Sequence, residues 1–126
     1  MTPLLIFALL LLDDAPQTFT EAQSRDIGCL AVVSIISEEQ GRNAPGANDY
    51  PDIREAGPRW ASLVVDRIAK ESGQSMEYVR KAIWDAVEKE QASVRDIADP
   101  KTYVDQRMTA CSALMRADLE RASPEP

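Results

Sequence analysis

The stretch DIGCLAVVSIIS, Asp26–Ser37, decides the fold. It is almost continuously apolar, rich in β-branched residues, and holds the first of two cysteines. A run of this length fits a buried strand or a core helix, and periodicity inside it does not choose between them. The flanks favour the helix. Upstream, TFTEAQ contains two overlapping capping boxes, Thr18 with Glu21 and Thr20 with Gln23. Downstream, SEEQ continues in helix-favouring residues to Gly41, a natural stop. In a helix reaching about Gln40, the residues Ala22, Cys29, Val33 and Ile36 share one face, while Ile27, Leu30 and Ile35 point elsewhere. A helix that is apolar on every side belongs at the centre of its domain.

Three more helices are expected around it. Residues 41–57, GRNAPGANDYPDIREAG, carry Pro45, Pro51 and three glycines and predict a loop, long for a compact domain. Pro58 then sits in the first turn of a second helix that Gly73 closes. Ser75 caps a third, whose stripe Val79, Ala82, Ile83, Ala86, Val87 has clear helical spacing. Asp99-Pro100 opens a fourth to about Arg121, with Val104, Met108, Cys111, Met115 and Ala122 as its core face. The expected fold is all-α: a small four-helix bundle or irregular four-helix array, in one domain over residues 16–122. The tail 123–126, SPEP, predicts disorder.

With 126 residues, of which 44% are hydrophobic and 28% charged, the chain can bury one core. Its net charge of −7 repels phosphate backbones and anionic headgroups, which disfavours nucleic acid and membrane surfaces as partners. The opening residues MTPLLIFALLLLDDAPQ hold an unbroken apolar run from Leu4 to Leu12. That is the length of a signal-peptide core and too short for a membrane-crossing helix. No Lys or Arg precedes the run, and Pro16 follows the small residue Ala15. The expectation is a signal peptide over residues 1–15, a periplasmic or secreted mature chain, and no membrane span after processing. Losing those residues removes Asp13 and Asp14 and leaves the remainder acidic.

Several chemistries lack their usual residues. The chain has no histidine, hence no imidazole base, ligand or switch. The glycines stand singly and form no phosphate-cradling loop. Serines have neither a G-x-S-x-G setting nor an imidazole partner. Glu38 and Glu39 are adjacent on a helix and face apart. Asn48, Asp49, Asp52 and Glu55 lack the spacing of a calcium hand, and a solvated loop explains them better. No catalytic residue, metal ligand or cofactor is therefore assigned. Two tryptophans are candidate partner contacts. Trp84 projects off the third helix's stripe beside Arg80 and Lys81, and Trp60 opens the second helix beside the loop. For each, the favoured alternative is a boundary residue covered by a neighbouring helix or by the long loop. Tyr50 and Tyr103 are placed to line a cleft between loop and bundle.

Cys29 and Cys111 sit on apolar helix faces, either as separate buried thiols or as one disulfide joining the first and last helices. Export and an even count with no C-x-x-C favour the disulfide, which on a chain-entropy basis contributes about 4 kcal/mol. With the apolar leader, the Cys of DIGCLAVVSIIS, the segment SGQSMEYVRKAI and the Cys of RMTACSALM, the chain resembles a loose group of small exported bacterial helical proteins of unknown function. In size, helicity and a single disulfide it is also similar to periplasmic acid-stress chaperones, with wider cysteine spacing and no shared motif. The expected role is non-enzymatic binding of a protein or small ligand in the cell envelope. The alternatives are acid-induced chaperone action, which the second likeness implies, and an enzyme with an atypical site.

Overall fold

A computed structural model describes residues 19–122. The leader, the possible cap Thr18 and the tail 123–126 lie outside these residues. Four α-helices follow one another: α1 Glu21–Gly41, α2 Ala56–Ser72, α3 Met76–Arg95 and α4 Pro100–Ala122. A short 3₁₀ turn, Ala47–Asp49, interrupts the loop between α1 and α2. No strand occurs among the described residues, so the opening run is helical throughout.

Local chemistry sets the boundaries. The Thr20 hydroxyl accepts from the Gln23 amide at 3.1 Å, and the Gln23 side chain accepts from the Thr20 amide at 3.0 Å. Two otherwise orphaned donors are thus satisfied reciprocally. Ser75 caps α3 by accepting from the Tyr78 amide at 3.0 Å, and Asp99 caps α4 by accepting from the Thr102 amide at 3.2 Å. α2 ends where Gly73 turns left-handed at φ 75°. It starts two residues before Pro58, on a hydrogen bond that the Gly57 amide donates to the Ile53 carbonyl, so the proline falls inside the first turn.

α1 is the central element and touches α2, α3 and α4. Leu30, Ala31 and Val33 have no exposed surface, and Ile27, Val32 and Ile36 are buried around them. α2 brings in Trp60, Val64 and Ile68, all completely buried. Its first turn lies so close that a Cβ on Gly57 would sit 3.2 Å from Val33 Cγ1. α4 contributes Met108, Cys111 and Met115. α3 is peripheral. Only Val79 is fully inside, while Ala82, Ile83 and Ala86 cover the core from its edge.

Cys29 and Cys111 form a disulfide across α1 and α4, their Cα atoms 5.1 Å apart and 82 residues apart in sequence. Two expected core positions are exposed, Ala22 and Ala122. Each lies at the extreme of its helix, where the face has run past the neighbour that would cover it. The inward face of α4 instead continues from Met115 to the buried Asp118.

Candidate functional site

The loop after α1 is tied down by one side chain. Gln40, buried at the end of α1, donates from Nε2 to the Ala47 carbonyl at 3.1 Å and the Pro51 carbonyl at 2.9 Å. Its Oε1 accepts from the Ile53 amide at 3.0 Å. A loop's backbone polar groups normally need water, and Gln40 takes that place from inside. Ala47 and Ile53 become core residues as a result.

The fixed loop carries Tyr50 to α4, where its hydroxyl donates to Asp105 Oδ1 at 2.6 Å. Burial, and then that bond, push the phenol up to about 12, so it remains a donor across the physiological range. Asp105 is held below its usual value by Tyr50 and by Lys101, whose ammonium lies 3.1 Å from Oδ2. Further along α4, the Tyr103 hydroxyl donates to Glu90 Oε2 at 2.8 Å and Arg107 Nη2 donates to Glu90 Oε1 at 3.0 Å. Burial raises the Tyr103 phenol too, followed by the Glu90 bond. These contacts bind α3 to α4.

Between the loop and the ends of α1, α3 and α4 lies a cleft of about 360 Å³. Val32, Ile35 and Ile36 form its α1 side, with Val94 and Val104 facing from α3 and α4. Tyr50, Tyr103, Glu39, Asp49, Glu90 and Arg107 supply its polar groups. Glu39 faces this cleft while exposed Glu38 pairs with Arg42, so the adjacent carboxylates do diverge. The volume lies at the lower end of the range typical of small-molecule sites, and a mainly apolar lining with a few convergent polar groups is their usual composition.

The tryptophans have opposite fates. Trp60 is buried completely, its indole N–H donating to Asp118 Oδ2 at 2.9 Å, so it offers no surface to a partner. The signal that the sequence reading missed is its i, i+4, i+8 spacing to Val64 and Ile68, which sets it on the buried face of α2. Trp84 is 69% exposed, at the rim of a smaller recess of about 230 Å³ between α2 and α3. The loop residues Asn48, Asp49, Asp52 and Glu55 are exposed. Hydrogen bonds from Arg54 lower the Asp52 carboxyl to about 2. No group of three metal-ligating side chains is disposed to hold an ion among the described residues.

Fold and site together define a class: a small all-α domain, one disulfide between its first and last described helices, and a pre-formed amphipathic cleft beside a pinned loop. Compared with protein-family models, curated proteins and solved structures, the chain finds no match.

Proposed function

We propose that the chain is a non-catalytic binding protein of the cell envelope, and that the cleft between the loop and α1, α3 and α4 is where it binds a small ligand. The observation that carries this reading is the Gln40 anchor, which fixes the loop that walls one side of an apolar cleft. Pre-organisation of that kind reduces the entropic cost of binding. Of the carboxylates that line the cleft, Glu90 is engaged on both oxygens, by Tyr103 and Arg107, whereas Glu39 and Asp49 are unpaired among the described residues. The disulfide fits an oxidising compartment, and no described helix is long and apolar enough to cross a membrane.

The test is a fragment mixture titrated into the oxidised protein, followed by amide shifts. This reading expects them to cluster at Val32, Val94, Tyr103 and Val104. Shifts confined to the surroundings of Trp84 would move the binding surface to α2 and α3.

One observation favours a second reading, acid-induced chaperone action. Asp118 is buried against Arg67 and held below its ordinary value, so the stability of that ion pair is lost in acid and the bundle can loosen. Suppression of client aggregation below pH 4 and not at pH 7 would establish it.

A further inference from the structure

The charges lining the cleft do not balance. Lys101 is matched by Asp105 at 3.1 Å, and Arg107 by Glu90 at 3.0 Å. Glu39 and Asp49 also line the cleft, and neither has a cationic partner among the described residues. They stand on different elements, Glu39 on α1 and Asp49 in the 3₁₀ turn, and face the same opening. After burial and the Asp105 bond, Asp49 and Glu39 both contribute to the raised phenol of Tyr50. Their fields therefore converge where the loop meets the cleft. Deeper in, Val32, Ile36 and Val104 offer only hydrocarbon.

We propose that the cleft selects a small organic cation, with an apolar body against Val32, Ile36 and Val104 and a protonated or quaternary nitrogen near Glu39 and Asp49. This rests on the cleft being the binding site. Glu39 is half-buried and Asp49 exposed, so both stay hydrated when the cleft is empty and cost little in stability. A ligand cation exchanges part of that hydration for two charge contacts, and the rings of Tyr50 and Tyr103 add an attractive wall. A neutral ligand gains the apolar contact alone, and an anion meets two uncompensated carboxylates. The net charge of −7 draws cations toward the whole molecule.

Three probes with one apolar body separate these terms: 4-phenylbutylamine, 4-phenylbutanol and 4-phenylbutanoate, each titrated into the oxidised full chain at low salt. The amine should bind roughly tenfold more tightly than the alcohol, and the carboxylate more weakly than both. Added salt should erode the amine's advantage. In the double variant Glu39→Gln, Asp49→Asn, amine and alcohol should bind within about twofold of each other. The pair Glu77→Gln, Glu88→Gln removes the same charge from exposed positions on α3 and should preserve the preference. Equal binding of amine and alcohol to the unaltered protein overturns cation selection while leaving the cleft as the binding site. So does loss of the preference in the α3 pair. No shift of cleft amides with any probe overturns both.

Discussion

Asp118 shows how far one residue's role depends on its neighbours. It is a carboxylate in the core face of α4, 8% exposed, where a leucine would satisfy the helical pattern. Trp60 Nε1 at 2.9 Å and Arg67 Nη2 at 3.2 Å donate to the same oxygen, and Arg121 reaches the other. The same Arg67 nitrogen lies 2.9 Å from Asp26 on α1, so one guanidinium links three helices. Burial alone would raise the Asp118 carboxyl, but the bonds from Trp60, Arg67 and Arg121 outweigh it and hold it below its ordinary value. A carboxyl depressed in the folded state contributes stability that is fully present above its unfolded value, about 3.9, and is lost as pH falls through the folded value. Asp118→Ala leaves the buried Trp60 N–H without its acceptor and Arg67 with Asp26 alone. It should cost about 2–3 kcal/mol at pH 7 and flatten the loss of stability below pH 4, both read from urea denaturation at a series of pH values. A variant as stable as the parent at pH 7 would show that this network adds nothing.

Among the elements, the helices were the most legible. Thr20, Ser75 and Asp99 announced three helix starts because capping is local chemistry, readable within four residues. The apolar run of α1 was legible as a central helix for the same reason, through its flanks. Burial of Gln23, Asp26, Gln40 and Asp118 was not legible, because each depends on a partner remote in sequence or on the path of the loop. The cleft was half visible. Tyr50 and Tyr103 could be placed beside it, but nothing in the pattern joined Glu90 to Tyr103 and Arg107. The loop is the element that converts fold into site, and Gln40 is its anchor. Gln40→Leu should leave the Pro51 carbonyl and the Ile53 amide unpaired and the Ala47 carbonyl with only the long bond from the Tyr50 amide, costing about 1–3 kcal/mol. Hydrogen exchange at Ile53 should then accelerate well before exchange in α1 does. Unchanged protection at Ile53 would remove Gln40 from this role.

At the scale of the molecule, a peripheral α3 and a loop are held against a core that the disulfide closes. The bond lies between Cys29 on the central helix and Cys111 on α4, and restricts a long segment of the unfolded chain. Cys29→Ala with Cys111→Ala should lower stability by about 2–5 kcal/mol and reduce the melting temperature, while binding stays measurable in the cold. Loss of binding in a fully folded double variant would instead make the sulfurs part of the function. In protein recovered from its native cells without reductant, both thiols should be blocked to alkylation; two free thiols would contradict an oxidising location. The claim on which the functional account turns is that ligand enters the cleft, and filling the cleft tests it most directly. Val94 lines it from α3 and is only half-buried, so Val94→Trp puts bulk into the space without opening the core. Titrated with 4-phenylbutylamine under conditions where the parent protein binds, the folded Val94→Trp variant should lose the amide shifts at Val32, Tyr103 and Val104. Full retention of those shifts, at the parent's affinity, would contradict the account.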